Sequence, residues 1–169
     1  MLQTTGDLFN HPCDALCITT NGFVKSNGYC VMGKGCAKQL STYDPNVPRT
    51  LGTLIRTNGN ITQIIGEYGV PVLAFPVKPI SDISNGHNAV KHMQPQFAVG
   101  ARIPGWACKA DLSIIIDSAR ALVALADTHG WKQVLLPRPG CGAGELSWND
   151  VYPVLNQILD DRFISITFN

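Results

Sequence analysis

Apolar positions along the chain come in short bursts separated by glycine, proline and asparagine. Ala15 to Ile18 is the first such run and ends in Thr19-Thr20-Asn21-Gly22, which reads as a strand entering a turn. Cys36 to Tyr43 and Val47 to Thr57 have helical character and are separated by Asp44-Pro45. Ile61 to Tyr68 and Val70 to Val77 read as two strands broken at Gly69, with Pro71 marking the start of the second or a place at a sheet edge. The clearest helix carries Leu112, Ile115, Ile116, Ala119, Leu122, Val123 and Ala126 at helical spacing, and Gly130 closes it. Val134 to Leu136 comes next as a short buried strand, then a loop from Pro137 to Gly144. Ser147 and Asp150 have the spacing of a capping box, while Pro153 belongs in a first turn and draws the predicted helix start toward Asn149. Phe163 to Phe168 reads as a terminal strand.

Strands alternating with helices in this way predict an α/β fold: a three-layer α/β/α sandwich around a central mixed sheet. The length, 169 residues, predicts a single domain. Residues from about Pro79 to Gly105 show no period and read as one long loop, a length usually kept for functional segments. Open α/β sheets bind ligands beyond the carboxyl ends of their strands. Two glycine-rich segments leave such ends, Gly33 to Cys36 and Gly140 to Gly144, so one cleft between them is the expected site.

Composition narrows the chemistry. Charged residues make up only 15% of the chain, and 13 basic side chains face 12 acidic ones. A broad electrostatic surface for nucleic acid or an anionic membrane is therefore not expected. Apolar runs fall well short of the roughly 20 residues of a membrane helix. A phosphate-bearing ligand would be held mainly by backbone amides and helix ends. The amino-terminal residues lack the pattern of a secretory signal, and the six cysteines contain no Cys-x-x-Cys pair, which together predict free thiols in a cytoplasmic setting. The histidines have no zinc-ligand spacing to those thiols, so neither a metal nor a cofactor is expected. A monomer is expected.

Five segments resemble the macro domain family. Gly6-Asp7-Leu8 and then Asp14-Ala15-Leu16-Cys17-Ile18-Thr19-Thr20-Asn21 are similar to the family's opening strand. Met32-Gly33-Lys34-Gly35-Cys36-Ala37 is similar to its first ligand loop, and Leu136-Pro137-Arg138-Pro139-Gly140-Cys141-Gly142 to its second. Leu159-Asp160-Asp161-Arg162-Phe163 resembles a bacterial or phage branch. The resemblance covers the chain except for the insertion at about 79–105. It implies that ADP-ribose, free or on an ADP-ribosylated macromolecule, is the partner. It further implies that Asp7 accepts from the adenine amino group, with the Leu8 amide beside it, and that Asn21 holds the distal ribose. Main-chain amides of Gly33, Lys34, Gly35 and Cys36, and of Gly140, Cys141, Gly142, Ala143 and Gly144, would wrap the diphosphate and distal ribose. Phe168 is either an adenine-stacking residue or a core aromatic, and Lys34 either a phosphate contact or a solvated lysine.

Two functions stay open: cleavage of an ADP-ribosyl linkage, or non-catalytic reading or sequestration of ADP-ribose. Lys78, in Phe75-Pro76-Val77-Lys78, stands at a predicted strand end and resembles the lysine of relatives that remove ADP-ribose from glutamate or DNA. An amine of lowered pKa suits attack at the distal ribose. The glutamate-directed relatives carry an aspartate where this chain has Gly144, which tilts the resemblance toward the DNA-directed type. Glu145, next door, reads as a solvated loop carboxylate. Cys36 and Cys141 lie in the loops without a histidine base, which argues against a thiol nucleophile. His87 and His92 fall in the insertion. Arg102, Trp106 and Trp131 read as packing residues.

Overall fold

A computed structural model describes residues 1–168. The strands are β1 (Leu2–Thr5), β2 (Ala15–Thr20), β3 (Gln63–Glu67), β4 (Pro71–Pro76), β5 (Ser81–Ile83), β6 (Arg102–Pro104), β7 (Val134–Leu136) and β8 (Phe163–Thr167). The helices are α1 (Gly35–Tyr43), α2 (Val47–Asn58), α3 (Leu112–His129) and α4 (Trp148–Ile158). Six strands form one sheet in the order β1-β8-β7-β2-β4-β3, and β5 pairs with β6 separately. All pairings in the large sheet are parallel except that of β3 with β4. The sheet is mixed, as the alternating pattern predicts, and β4 begins at Pro71.

Strand alternation explains the three layers. Ala15 and Cys17, Leu73 and Phe75, Val134 and Leu136 face one way and pack with Ile115, Ala119, Leu122 and Leu155 of α3 and α4. Leu16 and Ile18, Val72 and Ala74, and Leu135 face the other way, onto Leu40, Leu51 and Ile55 of α1 and α2. Because side chains alternate across a strand, a sheet covered on both faces demands apolar residues at every position. This is why β2 as far as Ile18, β4 and β7 appear in the sequence as unbroken apolar runs. β1, exposed at three of its four positions at the sheet edge, offers no such run.

The helix ends obey local chemistry. The Asp111 carboxylate accepts from the Ser113 amide at 2.8 Å and caps α3. Ser147 caps α4 by accepting from the Asn149 amide at 3.3 Å, so the helix begins at Trp148, and Pro153 sits exposed inside it rather than in its first turn.

Residues 79–105 differ from the expected loop. They contain β5, β6 and a 3-10 turn at Lys91–Gln96, and a second such turn comes after at Gly105–Ala107. Ala89, Ile103, Ala107 and Cys108 form a small core of their own, with Met93 and Phe97 packed against it. Strands of three residues and a core of small side chains leave no period to detect. Gly105 sits so close to the Pro79 carbonyl that a Cβ there would overlap it, and its amide donates to Ile80 O at 2.9 Å. Among the described residues no helix is long and apolar enough to cross a membrane, and all six cysteines are free thiols.

Ile103 is fully buried at the centre of the small core. Replacement Ile103→Ala is expected to cost about 2–5 kcal/mol. Hydrogen exchange should report the loss first at residues 84–107, with β2 and β4 protected as before; an equal loss in both regions would mean that the insertion has no separate cooperativity.

Candidate functional site

The parallel strands all end on one side of the sheet. Thr5 leads into Gly6-Asp7, Thr20 into Asn21, Pro76 into Val77-Lys78, Leu136 into Pro137, and Thr167 into Phe168. A cleft of about 880 Å³ opens over these ends, lined also by Val90, His92 and Met93 of the insertion and by Trp106 just after it. Of the residues expected at the site, Leu8, Asn21, Gly33, Lys34, Gly35, Cys36, Lys78, Gly140, Gly142, Ala143, Gly144 and Phe168 line it.

Asp7 and Cys141 are not in its wall. The Asp7 carboxylate accepts from the Phe9 amide at 3.0 Å and from the Asn10 side chain, tying the turn after β1 at the rim. The Cys141 amide donates to Arg138 O at 3.3 Å and its thiol to Pro139 O at 3.4 Å. Burial raises the Cys141 pKa, so the thiol stays protonated.

The first glycine loop delivers α1 to the cleft with its amino end uncapped: Lys34 at the cap position makes no side-chain bond. The amides of the first turn have no intrahelical acceptor and carry the positive end of the helix dipole. Gly35, at φ +58, makes the turn into the helix, and nothing lies within 4 Å of where its Cβ would stand. Asn21 holds this loop from below. Its Nδ2 donates to Val31 O at 2.9 Å and its Oδ1 accepts from the Phe23 amide at 2.8 Å. One N–H and one lone pair of that amide remain.

The second loop is fixed by the segment that leads into α3. Ala110 N donates to Gly144 O at 3.0 Å, and Leu146 N to Gly140 O at 2.9 Å. A Cβ at Gly144 would lie 2.6 Å from both the Ala110 Cβ and the Gly140 carbonyl oxygen. A side chain at position 144 would therefore force this turn or the Ala110 segment to shift. Among the described residues the amides of Gly142 and Ala143 donate to no protein acceptor, and both residues line the cleft.

Glu145 is an exposed loop carboxylate, as the sequence suggests, but it is engaged: both its oxygens accept from the Lys91 amide, at 2.7 and 3.0 Å. Its backbone sits at φ +64, the one non-glycine residue with positive φ among those described. Such a conformation costs about 1–2 kcal/mol for an L residue.

Lys78 is the buried charge of the site. The Val77 amide donates to Thr20 O at 2.9 Å, extending the β2–β4 ladder, and Asn60 Nδ2 donates to the Lys78 carbonyl at 2.9 Å. With its backbone held on both sides, Lys78 is only 7% exposed. Its Nζ donates to Trp106 O at 3.2 Å. Among the described residues the ion pairs belong to the chain's amino terminus and Arg162, so no carboxylate neutralises it. Burial lowers the amine's pKa from the ordinary lysine value; Cys108 opposes the shift, Lys34 adds to it and Glu145 opposes it.

Two further features escape sequence reasoning. Trp106, read as a packing residue, lines the cleft and supplies the carbonyl that holds Lys78. Arg138 reaches the cleft edge with its guanidinium 5.1 Å from the Trp148 ring centre, whose Nε1 donates to Gln3 at 3.0 Å. Neither has a local sequence signal, since each depends on elements far apart in the chain. Phe168 is 62% exposed on the cleft, which rules out its alternative as a core aromatic. His92 lines the cleft, while His87 is not part of its wall.

No protein-family model matches the sequence, and no curated protein matches it. Solved structures share its fold. The macrodomain of Thermus aquaticus DarG aligns at a TM-score of 0.69 with 17% identity, over 99% of this chain and 97% of that one. The macrodomain of Mycobacterium tuberculosis DarG aligns at 0.69 with 20% identity and the same coverage. Thermosipho africanus DarTG, solved in complex with ADP-ribose, aligns at 0.66 with 18% identity, over 99% of this chain and 42% of that one. The chain has the macrodomain fold.

A buried amine without a counter-ion costs stability. The folded-state pKa of Lys78 lies below its unfolded value near 10.5, so the penalty is complete at low pH and vanishes as pH rises through that window. Lys78→Met is accordingly expected to stabilise the protein by about 0.5–2 kcal/mol near neutrality. The gain should shrink as pH approaches 10.5. Urea unfolding at a series of pH values checks this; a destabilised variant would mean that the Trp106 bond outweighs desolvation.

Proposed function

We propose that this chain binds ADP-ribose in the cleft and cleaves an ADP-ribosyl linkage, with Lys78 as the catalytic amine. The observation that carries the reading is Lys78 itself, a buried lysine without a carboxylate partner between two loops that present free amides. Its lowered pKa supports the reading, since the neutral amine is the nucleophilic form. Its lone pair can add to C1 of the distal ribose as the bond from C1 to the carrier breaks and the carrier takes up the amine's proton; water then cleaves the new C1–N bond, releasing ADP-ribose and restoring the amine. Protonated, it stabilises charge on a departing oxygen. That a protein of the same fold, Thermosipho africanus DarTG, is solved with ADP-ribose supports the ligand class.

In this reading one domain spans 1–169, with the insertion as a wall of the site. The diphosphate lies on the uncapped start of α1, at Gly33, Lys34, Gly35 and Cys36, and on the amides of Gly140, Gly142, Ala143 and Gly144. Cys141 contributes by shaping that turn. Asn21 uses its remaining N–H and lone pair to position the distal ribose beside Lys78. Adenine stacks on exposed Phe168 near Leu8, and the carboxylate of Asp7 keeps lone pairs for the adenine amino group. The steric closure of position 144 supports an amine-dependent mechanism over a carboxylate-dependent one.

Calorimetry with ADP-ribose and turnover of glutamate- and DNA-linked ADP-ribose test the proposal. Lys78→Ala is expected to retain binding and to lose turnover by about a hundredfold or more. Wild-type binding without turnover on either substrate would leave the non-catalytic reading. Asp7→Ala should weaken ADP-ribose binding by about 1–3 kcal/mol. An unchanged affinity would refute the adenine contact.

A further inference from the structure

Residues 84–100 carry the outer part of the cleft wall, including His92 and Met93. Their hydrogen bonds are almost entirely internal or to the adjacent strand end. Ser84 N donates to Ala101 O at 2.8 Å, Val90 N to Ala107 O at 2.9 Å, and Asn88 O accepts from Lys109 N at 2.8 Å. Among the described residues, only the Glu145 carboxylate joins this segment by hydrogen bonds to any residue outside 79–109. The bond is local but its reach is not. Lys91 opens the 3-10 turn that positions His92 and Met93, and the same segment is stitched through Ala89 and Cys108 to the turn whose Trp106 carbonyl takes the Lys78 amine.

The backbone of Glu145 makes the same point independently. At φ +64, glycine would suit this position better than glutamate. The strain is borne by a residue whose side chain does one visible thing: it caps the wall.

From this geometry we infer that Glu145 is a positioning residue, a latch from the second glycine loop that holds the insertion over Lys78 and keeps water from its amine. The groups facing that amine are Lys34 from the first loop, Cys108 from the end of the insertion and Glu145 from the second loop, with His92 on the same cleft. As a bare charge, Glu145 raises the Lys78 pKa; as a latch, it lowers that pKa by preserving burial. The two roles predict opposite signs. The inference deepens the role proposed for Lys78 and rests on it for its chemical consequence, whereas its test reads the ligand-free protein.

The variants are Glu145→Gly, which relieves the φ strain while removing the latch, and Glu145→Gln, which removes the charge and keeps an acceptor. Lysine side-chain NMR gives the Lys78 titration midpoint, and amide exchange gives the mobility of residues 88–97. In Glu145→Gly, exchange at Lys91 and its neighbours is expected to rise about tenfold or more, with β2 unchanged. The Lys78 midpoint should move up toward that of an exposed lysine. Glu145→Gln should keep exchange near wild type and leave the midpoint unchanged or slightly lower. A midpoint that falls in Glu145→Gly, or exchange that does not change there, overturns the latch and leaves Glu145 a charge on a loop. A failure of the wild type to cleave any ADP-ribosyl substrate would sink the catalytic reading of Lys78 without touching either measurement.

Discussion

Everything at the site depends on one constraint of the sheet: five strands run parallel, so their carboxyl ends must share an edge. Parallel pairing requires crossovers, and those crossovers place α1 and α2 on one face and α3 and α4 on the other. With both faces buried, the strand ends are the main place left for polar chemistry. The turn carrying Asp7, the loop entered by Asn21, Lys78, the second glycine loop and Phe168 come from five separate stretches of chain, and each stretch leaves the carboxyl end of a strand. No individual residue had to be brought there by a special device.

The cleft then combines two electrostatic strategies. Toward the glycine loops, positive potential comes from backbone amides and the open end of α1, with little side-chain charge. Beside them stands a buried amine, Lys78, whose charge is opposed by its surroundings. The low charged fraction of the chain suits the first strategy, while the burial of Lys78 supplies the second. A salt-bridged lysine would cost less to bury; among the described residues Lys78 has no carboxylate partner.

Much of this is legible in the sequence because it depends on local patterns. The four helices and the central strands of the sheet are set by period and by apolar runs, and both glycine loops by their spacing. Lys78 stands out because Phe75-Pro76-Val77-Lys78, at a predicted strand end, resembles a stretch of known macro domains. Beyond reach is whatever depends on close contact between remote segments. The insertion hides two three-residue strands and a core built from Ala89, Ile103, Ala107 and Cys108, none of them in a periodic run. Trp106 acts through its carbonyl, to which side-chain identity is no guide. Glu145 is as exposed as the sequence suggests, but its acceptor role, met by an amide 54 positions away, has no local signal.

The tight packing of Gly144 against Ala110 and the Gly140 carbonyl bears on how this site can change over time. Aspartate is a single-nucleotide neighbour of glycine in the genetic code, so a carboxylate at this position is always within easy mutational reach. Folding closes the path that the code leaves open. Any lineage acquiring that carboxylate must first reshape the turn between Gly140 and Leu146 or withdraw the start of α3.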